Sequence, residues 1–101
     1  MIYVLSTYTV VMGKRDEFAN MFKQVTAAYE KNGAKLVGFW WTLAGEGNEA
    51  VCINAWKNLE NFEKGNEAAW KDKSFPLEKV ASTVITTTDK ILKPVDFSPL
   101  K

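Results

Sequence analysis

Residues 35–56 read KLVGFWWTLAGEGNEAVCINAW, and this stretch decides the fold. Two runs rich in β-branched and aromatic residues, Lys35–Leu43 and Ala50–Trp56, flank Gly45-Glu46-Gly47-Asn48. Strand-forming runs joined by a glycine-rich turn predict an antiparallel hairpin. Alternation sends Val37, Phe39, Trp41 and Leu43 to one side, and Leu36, Gly38, Trp40 and Thr42 to the other. Outward on both sides the periodicity changes to helical. Before the hairpin, Phe18, Met21, Phe22, Val25 and Tyr29 form an apolar stripe over Asp16–Glu30, with acidic residues in its first turn and Asn32-Gly33 as a stop. After it, Asn58 caps a helix over Leu59–Trp70, with a weaker stripe of Leu59, Phe62, Asn66 and Trp70 interrupted by Gly65. Outermost are two further strands, Ile2–Val11 and the Thr-rich Ser82–Leu92. Lys71–Ser74 reads as a loop, and Phe75–Ala81 as a short extra helix with Pro76 in its first turn.

The order βαββαβ is the split-βαβ, ferredoxin-like arrangement of an α+β protein, a four-stranded antiparallel sheet with both helices on one face. One domain over residues 1–101 is expected, ending in an extended tail, 93–101, shaped by Pro94 and Pro99. Both sheet faces carry apolar residues: Ile2, Val4 and Tyr8 against Tyr3, Leu5 and Val11. A face without helices is then a large apolar patch that needs covering. The economical cover is a second copy, sheet against sheet, so a homodimer through the open face, a dimeric α/β barrel, is the expected partner.

Composition narrows the chemistry. The chain has no histidine, a formal net charge of +1, 47% apolar and 25% charged residues. Its basic residues are scattered rather than gathered on one face, so no nucleic-acid partner is expected. No apolar run is long enough for a transmembrane segment. A start at Met1 without a leader-like segment, and a lone cysteine, Cys52, suggest a cytoplasmic protein. A Ser-His or Cys-His pair is excluded by the missing histidine. One Cys and scattered carboxylates make a poor metal set, and the glycines lack phosphate-loop spacing, so neither metal nor cofactor is expected.

Several segments resemble the NIPSNAP family: Ile2-Tyr3-Val4-Leu5-Ser6-Thr7-Tyr8, Gly13-Lys14, Glu17-Phe18, Val37-Gly38-Phe39-Trp40, Asn48-Glu49, Ile91-Leu92-Lys93-Pro94 and Asp96-Phe97-Ser98. The likeness spans nearly the whole chain and implies a dimeric α/β barrel. That fold is shared with cofactor-free monooxygenases, haem-degrading enzymes and small isomerases, and a shared fold does not carry function. Many relatives place His where Cys52 stands and an aromatic where Asn54 stands, and have more Arg in the second helix. A role borne by those residues does not transfer to this chain.

Cys52, Asn54 and Trp56 alternate along one strand and share a face. Asn54 either orients a polar ligand atom in a cavity, with Trp56 stacking on it, or is satisfied across the dimer or by water. Trp40 and Trp41 lie on opposite faces, as ligand lining or as core. Tyr3, Tyr8 and Tyr29 offer phenols for proton transfer, and Glu46, Glu49 and Asp89 offer carboxylates in place of the absent histidine. The candidate ligand-binding set is Tyr8, Trp40, Cys52, Asn54 and Trp56. It serves a small apolar or aromatic molecule between sheet and helices, with oxygenase or isomerase chemistry that needs no cofactor. The alternatives are a non-catalytic dimeric interaction or carrier module, with the aromatics as core, and a ligand-sensing domain.

Overall fold

The computed structural model describes residues 1–101. Its elements follow the order β1 (Ile2–Val10), α1 (Arg15–Lys31), β2 (Lys35–Trp41), β3 (Glu49–Trp56), α2 (Leu59–Lys71), α3 (Leu77–Thr83) and β4 (Val84–Leu92). The four strands form one antiparallel sheet in the order β2-β3-β1-β4. This is the ferredoxin-like topology, with right-handed crossovers placing the helices on one face. No helix is long and apolar enough to cross a membrane.

α1 buries Phe18, Met21, Phe22, Val25, Ala28 and Tyr29 against the sheet. It stops where expected: Asn32 Nδ2 donates to the Ala28 carbonyl at 2.8 Å, and Gly33 takes φ +108°. Asn58 caps α2, its Oδ1 accepting from Asn61 N at 2.8 Å.

The buried face of α2 differs from the apolar stripe in its sequence. Leu59 and Trp70 are substantially exposed, and the residues that sink fully are Gly65 and Ala69. Small residues win because α2 lies close against Trp56: a Cβ on Gly65 would overlap Trp56 Cζ3 and the Asn32 carbonyl oxygen. Glycine here is a packing requirement that overrides its poor helix propensity.

β2 also departs from simple alternation. Leu36 pairs with Asn54 and Gly38 with Ile53, so Val37 is the extra residue of a bulge. The bulge reverses parity. Leu36 joins Phe39 and Trp41 against the core, rather than Gly38 and Trp40 on the far side. The strand ends at Trp41; Leu43 stands fully exposed in the loop beyond the Thr42 N to Glu49 O bond of 2.9 Å.

The extra helix begins and ends two residues later than its sequence suggests, at Leu77–Thr83, with Pro76 as its cap residue. β4 therefore starts at Val84. On the face away from the helices the register places Tyr3, Leu5, Val51, Ile53, Ala55, Trp40 and Leu92. Trp40 is 50% exposed, and its ring lies over Gly38, where a Cβ would collide with it.

Candidate functional site

The sheet floor beneath the helices is a grid set by strand register. One row runs Asp89–Ser6–Cys52, the next Ile91–Val4–Asn54–Leu36, and a third Thr87–Tyr8–Ala50. Polar side chains occupy the middle of a floor whose surroundings are aromatic. Tyr8, Phe18, Phe22, Phe39 and Trp41 form one cluster, with ring centroids 4.9–6.1 Å apart. Arg15 caps it, its guanidinium 4.2 Å from the Trp41 ring centroid. A second cluster joins Trp56 to Tyr29 and Phe62, and Phe75 to Tyr29 and Trp70.

Between these clusters lies a cavity of about 340 Å³. β1 contributes Val4, Ser6 and Tyr8 to its walls; β3 contributes Asn54 and Trp56. Tyr29 of α1, Asn66 and Trp70 of α2, and Phe75 and Val80 near α3 close the helix side. Thr87 and Asp89 form the rim at β4, both exposed because the helices leave that strand bare. The Trp70 indole N–H donates to Tyr29 Oη at 2.9 Å, tying α1 to α2.

Asn54 is 7% exposed. Its Nδ2 donates to Cys52 Sγ at 3.6 Å, while its Oδ1 is buried without a hydrogen-bond partner. An unpaired buried acceptor costs on the order of 1–3 kcal/mol, so native structures rarely keep one without a reason.

Burial pushes the Tyr8 phenol far above the ordinary tyrosine value, helped by the nearby Tyr29 and Cys52. Burial raises Tyr29 to about 12, against the opposing hydrogen bond from Trp70. Burial also raises the Cys52 thiol to about 12, with Asn54 opposing and Asp89 adding slightly. Near neutral pH both phenols and the thiol are therefore protonated. The site offers phenolic O–H groups but no thiolate nucleophile.

The structure brings Tyr8, Asn54 and Trp56 to one cavity. Cys52 shares their face but is wholly buried beside Asn54 and contributes none of the cavity wall. Trp40 lies on the opposite face of the sheet and is not part of the cavity. Ser6, Asn66 and Trp70 belong to the lining although the sequence did not mark them as site residues. Ser6 was detectable as the small polar residue two before Tyr8 on the same face; Asn66 and Trp70 depended on how α2 is rotated.

The NIPSNAP family model matches residues 3–99. The chain belongs to the NIPSNAP family. Among solved structures, it is similar to the NIPSNAP family protein Atu4242 of Agrobacterium tumefaciens, with 25% identity and TM-score 0.89, covering 100% of this chain and 94–100% of that one in two structures. An uncharacterized NIPSNAP domain protein from Burkholderia xenovorans is 22% identical, with TM-score 0.85 over 98% of this chain and 99% of that one. The fold extends to SnoaB, a cofactor-independent oxygenase from Streptomyces nogalater, at 17% identity and TM-score 0.70, covering 97% of this chain and 96% of that one. No curated protein matches the chain.

Proposed function

We propose that this NIPSNAP protein is a cytoplasmic homodimer that binds a mainly apolar, aromatic small molecule in the cavity between sheet and helices of each protomer. The observation that carries this reading is Asn54, a wall residue of a cavity of about 340 Å³ whose Oδ1 is a buried acceptor without a partner. Its volume falls in the usual range for small-molecule sites, about 300–1,000 Å³, and its composition is the usual one: aromatic walls with a few converging polar groups. Tyr8, Asn54 and Trp56 are the contacting residues; Cys52 Sγ accepts from the Asn54 amide nitrogen at 3.6 Å.

Chemistry without a cofactor fits this lining. A protonated Tyr8 can give a hydrogen bond or a proton to a ligand oxygen, and Asp89 at the rim is the one carboxylate in the lining that could accept a proton. Isomerisation needs only such a donor and acceptor. Oxygenation without a cofactor would take all four electrons from the substrate: at a CH2 group two C–H bonds break, one oxygen atom of dioxygen becomes the new C=O and the other leaves as water.

The dimer reading rests on the helix-free face. Leu5, Val51 and Ile53 sit at its centre, with Trp40 and Leu92 exposed beside them. A second copy seated there would bury Trp40, Leu92 and the half-buried Leu5, Val51 and Ile53; Tyr3 and Ala55 on the same face are already buried within the protomer.

The test is native mass spectrometry of protein purified gently from its own host. A dimer carrying one additional organic mass per protomer is expected, and heating above the melting transition should release that mass. A protein that is free of ligand under these conditions, and whose Tm no aromatic compound raises, would reject the binding reading.

A further inference from the structure

The lining of the cavity holds one formal charge, the Asp89 carboxylate, and no Lys or Arg. Asn54 lines its floor, and the side-chain Oδ1, which can only accept a hydrogen bond, is buried without a donor. The amide nitrogen donates to Cys52 Sγ, two residues earlier on the same strand face, at 3.6 Å. Asp89 lies in the same row as Ser6, one strand over, so its negative charge faces the same space. That charge also pushes the Tyr8 and Tyr29 phenols and the Cys52 thiol toward their protonated forms. The cavity is therefore poor in positive potential and carries an unmet need for a donor.

We infer that the cavity selects aromatic molecules that carry a hydrogen-bond donor and no negative charge, such as phenols, enols and amines, and rejects carboxylates and phosphates. This inference rests on the proposal that the cavity is a binding site. With the Asn54 amide turned toward the cavity, the ligand's O–H or N–H would supply the missing partner of Oδ1, while its ring packs on Trp56 and against Tyr8 and Phe22. An anion entering the same space would meet Asp89 with no counter-charge in the lining and lose its hydration. Filling an orphaned buried acceptor recovers energy that an ether of the same shape cannot, because the ether has nothing to donate.

The test is isothermal titration calorimetry of the intact protein near neutral pH with three matched bicyclic probes: naphthol, methoxynaphthalene and naphthoate. Naphthol is expected to bind about ten-fold or more tighter than its methyl ether, the effect of one buried hydrogen bond. Naphthoate is expected to bind most weakly of the three. Equal or tighter binding of the ether or of naphthoate would overturn the inference while leaving the binding site in place. No binding by any of the three would reject both the inference and the site. In Asn54→Leu the naphthol preference should collapse toward parity while the ether still binds; an undiminished preference would overturn the assignment to Asn54. Should that variant fail to fold by circular dichroism, the wild-type series and Asp89→Asn decide. Asp89→Asn should narrow the gap between naphthol and naphthoate several-fold, and an unchanged gap counts against the inference.

Discussion

The indole of Trp56 fills the space that a side chain at Gly65 would need, with its Cη2 2.9 Å from where a Cβ would stand. The two residues lie on different elements, β3 and α2, and their contact sets how closely α2 approaches the sheet. The cavity wall at Phe62, Asn66 and Trp70 inherits its position from this contact.

Replacing Gly65 by Ala should therefore reverse the usual rule. In a helix interior Gly→Ala ordinarily stabilises by about 0.5–1 kcal/mol. Here the added methyl overlaps both the Trp56 ring and the Asn32 carbonyl, so overpacking should dominate and cost about 1–3 kcal/mol. Urea denaturation measures it. A more stable Gly65→Ala would mean that α2 can shift outward freely.

Asn54→Leu should behave in the opposite sense. It removes a buried acceptor that lacks a partner and replaces it with an apolar group of similar size. A gain of about 1 kcal/mol in the unliganded protein follows, worth roughly 4–8 °C in Tm for a domain of this size. Differential scanning calorimetry of wild type and variant checks it. A large loss would show that the Asn54–Cys52 contact is a structural necessity.

Alkaline pH should unfold the protein over a defined window. The Tyr29 phenol is raised from 10.0 to about 12, and the Cys52 thiol from 9.0 to about 12. Raised values mean that folding favours the protonated forms. Their stabilisation is complete below pH 9, where folded and unfolded states bind the same protons. It declines as pH rises from 9 to 12, where the unfolded chain releases protons that the folded one retains. Tm should fall steadily across that range, and Tyr29→Phe should lessen the decline between pH 10 and 12, where Tyr8 and Cys52 still contribute. A flat wild-type profile to pH 12 would contradict the burial of both groups.

The helix-free face gives a fourth prediction. Ile53→Lys puts a charge at the centre of the face opposite Leu5 and leaves the cavity side untouched. Sedimentation equilibrium should show a dimer for wild type and a monomer for the variant. An Ile53→Lys protein that sediments as the wild type does would place the interface elsewhere.

Local pattern determined the element order, the antiparallel hairpin, the cap at Asn58 and the stop at Asn32-Gly33, because each depends on residues within one or two turns of chain. The shared face of Cys52, Asn54 and Trp56 was equally legible, since alternation along an unbroken strand needs no partner to specify it. What the pattern could not show was anything decided between elements. The bulge at Val37 arises from how β2 pairs with β3, and it moved Leu36 to the core. The burial of Gly65 in place of Leu59 and Trp70 comes from how close α2 lies to Trp56. That rotation brought Asn66 and Trp70 into the cavity wall. Trp40 went to the opposite face because strand parity, once the bulge is included, leaves it paired across from Val51. The unpaired state of Asn54 Oδ1 is likewise a tertiary fact: any residue folded over it could have supplied a donor, and the packed structure supplies none.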